Sequence, residues 1–397
     1  MSASADSPFR IHGVGCSLVD LVYNNVDFSG PAFQRYASRQ PGDGGLVPGA
    51  LVFGEDLERF AGEPIETILA ALCGDRPADS RTVGGPAIVA LVAAAQLLHD
   101  APAQVAFFGR KGEDDDARAI DTILARTPVD TSHYRSCDAH TPFTRVLSDP
   151  GYQGAGERLF INEIGAAHRM TPASLSDAFF DGDMVLFGAT ALVPPIHRDL
   201  TTLLERAKQR GAYTVVTTVY DFPNEQRDPS APWPLGDTAR SLPLIDCLLA
   251  DAEEARRISG EDDLDRALSF FAAGGVGAVA ITDGIRPLRV ACQGREFRQN
   301  VCRQVDDELV SFTGQGDTTG CGDNFAGGTI AELARQLLAG EELDFPRAVA
   351  IGVCTGGSAC FHLGGTWLEE RPGLKAERVA RLHAAYAAQL RAEAAGA

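Results

Sequence analysis

The chain has 397 residues, of which 45% are hydrophobic, and a formal net charge of −19. This much apolar sequence can bury the core of one large α/β domain or of two smaller ones. The strong negative charge argues against a nucleic-acid-binding protein and against an anionic membrane partner, since both usually require a basic face. It does not argue against phosphate binding, because backbone amides and one or two cations can form such a site locally.

The nine cysteines are dispersed along the chain and odd in number. They form no CxxC pair and no Cys/His cluster with zinc spacing, so we expect reduced thiols. The N-terminal stretch lacks the basic and apolar regions of a secretory signal, and no apolar run reaches the ~18 residues of a membrane span. These features predict a cytoplasmic protein.

The first half of the chain mixes α/β elements with irregular segments. Residues 11–23 predict a first buried strand that ends near Asp20, and residues 142–162 predict a hairpin around a Gly-rich turn. Segments at approximately 22–54 and 137–162 do not fit a βα alternation, and we expect them to form a small β lid. The other expected elements are helices at 55–74 and 83–100 and a strand–turn–helix unit at 103–124.

The second half alternates short apolar runs with helical patterns, which is typical of a parallel sheet covered on both faces. We find no internal repeat, and the sequence predicts a single α/β domain over residues 1–397. In chain order, the expected elements are strands at 183–189, 212–221, 245–251 and 277–284, helices at 196–210, 252–260 and 263–275, β-like runs at 287–293 and 308–312, and helices at 321–339, 345–363 and 375–393.

Residues 314–328, GQGDTTGCGDNFAGG, lie directly before a long helical pattern. Unpaired amides and the helix dipole make such a start an anion site, and glycine lets a phosphate approach the backbone closely. Asp323 falls in the first turn, where a carboxylate can accept a proton from a hydroxyl while the amides stabilise a transferring phosphoryl group. The alternative is an Asp that only favours the helix dipole. The residues at the helix start are Thr318, Thr319, Gly320, Cys321 and Gly322.

The stretch DTTGCGDNFAGG resembles the signature DTTGAGDxFxxG of the ribokinase-like (PfkB) carbohydrate kinases. Cys321 stands where Ala is common, a change between small residues that leaves the backbone site intact. The resemblance implies a ribokinase-like three-layer α/β/α fold with a mostly parallel central sheet and a small β lid. It also implies Asp323 as catalytic base, the 320–323 amides as the anion hole and, as in some members, a monovalent cation such as K+ near Asp317.

Two further segments resemble the parts of the family that bind the acceptor. GVGCSLVDLV places Asp20 where the family binds a substrate hydroxyl, although a buried strand-end carboxylate that caps a turn is an equal alternative from the residues alone. GGPAIVA provides Gly84 and Gly85 as substrate contacts but has Val89 where GGxxxN has Asn. The similarity spans roughly residues 10–365, and its N-terminal layout is closest to adenosine-kinase-like members.

The remaining resemblances concern magnesium and nucleotide. ADAEEARRISG is similar to the family's N-x-x-E stretch, with Asp251 in place of Asn and Glu254 retained, which implies Mg2+ binding through water. Without the resemblance, Glu254 could equally be an exposed helix residue. AVAITDG resembles a strand end that contacts the nucleotide. The implied nucleotide contacts are Thr282, Gly284, Thr318 and Thr319.

Other nucleotide folds fit poorly. Gly13 and Gly15 follow a β-like run, but Leu18 breaks the GxGxxG pattern of dinucleotide-binding proteins. No GK pair occurs, which excludes a Walker A loop. A non-catalytic nucleotide- or sugar-binding sensor on the same fold remains the alternative, because Val89 and Asp251 depart from the family pattern.

The sequence therefore predicts an ATP- and Mg2+-dependent kinase that transfers the γ-phosphoryl group to a primary hydroxyl of a sugar or nucleoside. Closure of the lid is expected to exclude water and so to prevent ATP hydrolysis. The small-molecule acceptor itself is not specified by the residues. An open edge of the lid sheet could pair in a homodimer, while no nucleic-acid or membrane partner is expected.

Overall fold

The computed structural model describes residues 7–40, 42–154, 156–313, 316 and 318–396. Within these ranges the strands are β1 (Phe9–Val14), β2 (Leu18–Asn24), β3 (Leu51–Phe53), β4 (Ser80–Gly84), β5 (Ala103–Lys111), β6 (Tyr134–Ser136), β7 (Phe143–Asp149), β8 (Glu157–Glu163), β9 (Met184–Gly188), β10 (Tyr213–Thr217), β11 (Cys247–Asp251), β12 (Ala278–Asp283), β13 (Arg286–Cys292) and β14 (Arg295–Gln299). The α-helices are α1 (Pro31–Tyr36), α2 (Gly54–Ala61), α3 (Ile65–Cys73), α4 (Pro86–Leu97), α5 (Asp115–Leu124), α6 (Asp177–Phe180), α7 (Pro194–Arg198), α8 (Leu200–Gln209), α9 (Phe222–Arg227), α10 (Thr238–Ser241), α11 (Ala252–Ser259), α12 (Leu264–Ala273), α13 (Arg303–Ser311), α14 (Cys321–Ala339), α15 (Phe345–Ala359) and α16 (Leu374–Gly396).

The central sheet has nine strands in the order β14-β13-β12-β11-β10-β9-β1-β5-β6. All neighbours from β12 to β6 pair in parallel, whereas β13 and β14 add antiparallel strands at one edge. Side chains alternate between the two faces. Ala280 of β12 joins a core with α4, α14, α15 and α16, and its neighbour Ile281 joins a core with α8, α11 and α12. The predicted three-layer α/β/α fold is confirmed.

A second, smaller sheet has five strands in the order β3-β8-β7-β2-β4. Leu147, Leu159 and Ile161 on one face form a separate core with α1, α2 and α3. The hairpin predicted around the Gly-rich turn is present as the antiparallel pair β7 and β8. Strands β2 and β4 extend this sheet beyond the segments 22–54 and 137–162 from which we expected it to form.

The strand predicted over 11–23 is wrong in one respect that concerns the site. The chain forms two strands there, β1 in the large sheet and β2 in the small one. The break occurs at Gly15, where a Cβ would lie 2.5 Å from the carbonyl oxygen of Gly188, so the chain passes tightly against β9 before it turns away. Asp20 consequently lies inside β2 and not at a strand end.

Two other expected elements also differ. The β-like run at 308–312 belongs mostly to helix α13, in which Val305 and Leu309, four residues apart, pack on the core while Val310 is 91% exposed. The helix expected over 55–74 is two helices. Gly62 ends α2 in a left-handed conformation with φ 69°, and Pro64 precedes α3.

Close packing of α4 against α14 brings the starts of these two helices to the same crevice. A Cβ at Gly327 would lie 2.5 Å from the Ala90 carbonyl oxygen, so glycine allows the helices to approach at this point. Across the described ranges, no helix has the length and apolarity needed to cross a bilayer.

Candidate active site

The glycine-rich stretch forms an open helix start. Gly320 is the N-cap of α14 with φ 72°, and as a glycine it has no side chain with which to cap the helix. The Cys321 N–H donates to the Thr318 carbonyl at 3.2 Å, so Gly322 and Asp323 provide the remaining amides of the first turn. A Cβ at Gly322 would meet no atom within 4 Å, which leaves room for a ligand beside these amides. The arrangement suits an anion.

Asp323 lies in the first turn of the same helix and is partly exposed. Its removal from bulk water raises the pKa of the carboxyl group to about 7. A carboxylate with this pKa is a stronger base than an ordinary Asp, and it can be deprotonated at neutral pH. It adjoins the anion site, as a general base for an attacking hydroxyl requires.

The expected substrate residues lie together at the junction of the small sheet and α4. Asp20 is 7% exposed, and a Cβ at Gly84 would collide with its carboxylate, so glycine is needed for this contact. Gly85 is the N-cap of α4 with φ 102°, a conformation that other residues rarely adopt. A Cβ at this position would lie 2.6 Å from the Cys16 carbonyl oxygen.

One loop joins this group to the open helix start. Gly365 follows α15, and its Cα would lie 2.5 Å from a Cβ at Gly320. A Cβ at Gly365 would in turn lie 3.1 Å from a methyl group of Val89, which is 2% exposed. Val89 therefore packs under the loop, and its position offers no polar group to a substrate.

Two carboxyl groups form the start of the neighbouring helix α11. Asp251 accepts a hydrogen bond from the Glu254 amide at 2.8 Å, and Glu254 Oε2 accepts one from the Asp251 amide at 3.1 Å. Glu254 Oε2 also accepts a hydrogen bond from the Thr218 hydroxyl. This capping box explains the pair structurally, and it holds both carboxyl groups at the carboxyl end of β11.

The electrostatics of this pair connect it to Asp323. Burial, the Asp251 carboxylate and the Asp323 carboxylate together raise the pKa of Glu254 to about 8. Desolvation and the nearby Asp283 carboxylate raise the pKa of Asp251. Mutual repulsion of this kind is relieved when a cation binds between the groups.

The expected nucleotide residues fall around the same edge. Thr282 of β12 pairs in register with Asp251 of β11. Gly284, with φ 59°, makes the turn into β13. Thr318 and Thr319 directly precede Gly320, and Thr318 is exposed. Asp317, the residue implied for a monovalent cation, lies outside the described residues.

Our sequence interpretation missed Arg158. This residue of β8 donates a hydrogen bond from Nη1 to the Thr319 hydroxyl at 2.9 Å, so it reaches from the small sheet to the anion site. A cation directly after the Gly-rich hairpin turn was the available signal. Its partner is 161 positions away in the sequence, which no local pattern could indicate.

Comparison with known proteins decides the family. Residues 75–366 match the pfkB family of carbohydrate kinases. The chain belongs to this family. It is similar to a fructokinase from Klebsiella pneumoniae, with 30% identity over 259 residues that cover 63% of this chain and 76% of the relative.

Solved structures show the same ribokinase-like fold. An adenosine kinase from Sinorhizobium meliloti has a TM-score of 0.68 and 18% identity, and the match covers 94% of this chain and 99% of that one. A protein from E. coli assigned as Ribokinase II, in complex with ATP and Mg2+, has a TM-score of 0.62 and 17% identity with the same coverage.

Proposed function

We propose that this pfkB protein transfers the γ-phosphoryl group of ATP to a primary hydroxyl of a sugar, with Asp323 as catalytic base. The observation that carries the proposal is the position of Asp323, whose pKa is raised to about 7 beside an open helix start. The deprotonated carboxylate takes the proton of the acceptor hydroxyl as this oxygen attacks phosphorus. Amides of Gly322 and Asp323 stabilise the charge on the transferring group.

The carboxyl pair at α11 fits a divalent cation. Asp251 and Glu254 have raised pKa values because they lie close together and partly out of water, and a bound cation would lower that cost. Mg2+ requires few protein ligands, because it keeps several waters and is bound together with phosphate oxygens. When bound, Mg2+ neutralises phosphate charge. The E. coli structure with ATP and Mg2+ supports this choice of cofactors.

The small sheet acts as the lid of this site. Besides the Arg158–Thr319 hydrogen bond, Gln226 donates to Asp56 at 2.7 Å, and the rings of Phe53 and Phe222 lie 5.5 Å apart. These contacts join the small sheet to the large domain over the crevice. A crevice closed in this way excludes water, so ATP would react with the acceptor in preference to hydrolysis.

A polar row on the inner face of the lid fits an acceptor that carries several hydroxyl groups. Strand pairing aligns Asp20 with Thr144 and Thr144 with Asn162, and all three are less than 10% exposed. Thr144 donates to Asn162 Oδ1 at 2.6 Å. Arg158 lies on the same face, because it is an even number of residues from Asn162, and it points to the anion site.

Hydroxyl groups of a sugar can form hydrogen bonds to such a row, as can those of the ribose of a nucleoside. The similarity to a fructokinase is what favours a free sugar as the acceptor.

The test is an assay of ADP release with Mg-ATP, with and without K+, against fructose, ribose, 2-keto-3-deoxygluconate, sugar phosphates and adenosine. We expect turnover with a sugar and loss of at least about a thousandfold in kcat in Asp323→Asn, with ATP affinity retained. Asp306→Asn, an exposed first-turn Asp of α13, is the matched control and should keep full activity.

Loss of ATP affinity in parallel with loss of rate would contradict the role of Asp323 as base. Turnover with adenosine alone would support the assignment as a kinase but refute the assignment of a sugar as its acceptor. Thermal stabilisation by ATP and sugars without any turnover would instead indicate a sensor on the kinase fold.

A further inference from the structure

A buried lysine lies behind the anion site. Lys375, the second residue of α16, is 1% exposed. Its ammonium nitrogen lies 3.3 Å from Asn324 Oδ1 and 5.4 Å from the ring centroid of Trp367. Burial lowers the pKa of this amine to about 7, which reflects the cost of keeping a cation out of water. The Glu369 carboxylate stabilises the charged amine and offsets part of this cost.

Asn324 connects the lysine to the open helix start. Its Nδ2 donates to the carbonyl oxygens of Gly320 and Gly365, both at 2.9 Å. The side-chain amide is therefore fully oriented, with its oxygen towards Lys375 and its nitrogen towards the two carbonyls. The Asn324 backbone amide also donates to the Gly320 carbonyl, at 2.8 Å.

The two carbonyl groups belong to the segments that shape the anion site. Gly320 holds the left-handed conformation from which α14 begins, and Gly365 packs directly against it. Since the N-cap Gly320 has no side chain of its own, the Asn324 side chain holds this helix start from behind through the two carbonyl groups. Rotation of Gly320 would turn the amides of Gly322 and Asp323 away from the crevice.

We propose that Lys375 is a positioning residue for phosphoryl transfer, which acts through Asn324 to hold Gly320 and the amides that follow it. The transfer step rests on the proposed function, whereas the ordering of the helix start does not. In the proposed mechanism, Lys375 contacts neither the acceptor nor ATP. It keeps the Asn324 amide in the one orientation that binds both carbonyl groups.

A purely structural lysine would behave differently on substitution. Replacement of a buried charged group by an apolar side chain of similar volume is often neutral or stabilising. Lys375→Met should therefore keep a folded, stable protein and still lose the hydrogen bond to Asn324. The variant separates the two explanations, because only a positioning role predicts lost rate without lost stability.

The experiment compares wild type, Lys375→Met, Asn324→Ala, the double variant and Leu382→Ala. The last is a control in the same helix, since Leu382 is 0% exposed and packs in the core without a role at the site. Three quantities are measured: melting temperature, hydrogen–deuterium exchange of the peptide 320–325, and kcat and KM for Mg-ATP with D-fructose.

For Lys375→Met we expect a melting temperature close to that of the wild type. Exchange at 320–325 should be at least about tenfold faster and kcat at least about tenfold lower, with KM for ATP within about threefold. Asn324→Ala should show the same two effects, and the double variant should not exceed the larger single effect. Leu382→Ala should lower the melting temperature and leave exchange at 320–325 unchanged.

Unchanged exchange in Lys375→Met, or additive effects in the double variant, would overturn the inference. If Lys375→Met fails to fold, the inference is tested by Asn324→Ala, and wild-type exchange at 320–325 in that variant would overturn it. Faster exchange in a protein that phosphorylates no acceptor would refute the proposed function and leave the positioning of the helix start intact.

Discussion

Two helix starts meet in the crevice, and they are built in opposite ways. Helix α11 begins with the capping box of Asp251 and Glu254, in which side chains satisfy the first amides. Helix α14 begins at Gly320, which has no side chain with which to cap it. The first presents carboxyl groups to the crevice and the second presents backbone amides.

This difference suits an acidic protein that is proposed to bind a nucleoside triphosphate. In the proposed function, the open start receives the negative charge of the phosphoryl group and the capped start receives the accompanying cation. Asp323 belongs to the open start, and its carboxylate contributes to the raised pKa of Glu254 at the capped start. The two helix starts are therefore close enough to influence each other electrostatically.

The largest effect is expected when the open start is disturbed. In Gly320→Ala, the added methyl group meets Gly365 at 2.5 Å in a backbone conformation of φ 72° that disfavours Ala. We expect kcat to fall about 100-fold or more, as when an oxyanion donor is lost, measured by ADP release.

Gly340→Ala at the other end of α14 is the matched control. Gly340 has φ 66°, and its Cβ would meet no atom within 4 Å. Alanine at position 340 therefore has a conformational cost similar to that of alanine at position 320, but it changes no residue of the site. Equal loss of rate in both variants would show that Gly320 matters only for folding.

A smaller effect is expected when the capped start loses its charge. Glu254→Gln keeps a hydrogen-bond acceptor for the Asp251 amide and removes the carboxylate. We expect the Mg2+ concentration for half-maximal rate to rise about tenfold, in line with losses seen when groups around a metal are changed. Glu253→Gln, next to it in the first turn of α11, should match the wild type. An unchanged Mg2+ requirement in Glu254→Gln would contradict the cation site.

The lid is expected to contribute less than either helix start. Arg158→Met removes the hydrogen bond to Thr319, and we expect kcat/KM to fall about tenfold because charged hydrogen bonds are worth about 1.5–3 kcal/mol. ATP hydrolysis without acceptor should rise relative to transfer. Arg35→Met, at an exposed lid cation paired with Glu63, is the control. If the two variants have the same kcat/KM and the same rate of ATP hydrolysis, Arg158 has no role at the site.

The smallest effect is expected at Cys321. Its sulfur lies 3.2 Å from that of Cys360, beside the crevice, while the backbone of the helix start forms the anion site. Cys321→Ala should change kcat by less than about threefold, which corresponds to less than 1 kcal/mol. A tenfold loss would show that the thiol takes part, and the open start could no longer be described by its amides alone.

Local patterns predicted the open start well because its causes are local. Glycines directly before an apolar helical pattern specify where α14 begins, and the structure places that start at Cys321. The carboxyl pair of α11 was predicted only through the resemblance to the family's N-x-x-E stretch, although residues three apart do meet in the first turn of a helix.

Contacts between distant segments were not predictable in the same way. The chain leaves the large sheet after β1 and enters the small sheet at β2 where Gly15 packs against Gly188. Because this contact cannot be read from the sequence, we predicted Asp20 at a strand end, whereas it lies inside β2. Arg158 and Lys375 act on the helix start from elements 161 and 51 residues away from their partners. No periodicity or spacing within a segment reports such contacts.

The pH dependence of kcat at saturating Mg-ATP and sugar tests the central claim most directly. Asp323 must be deprotonated to accept a proton, so its raised pKa predicts that the rate falls as pH drops through about 7. This acidic limb should be absent from the residual rate of Asp323→Asn. A wild-type rate that stays constant down to about pH 5, where an ordinary Asp is still ionised, would contradict Asp323 as the base beside the open helix start.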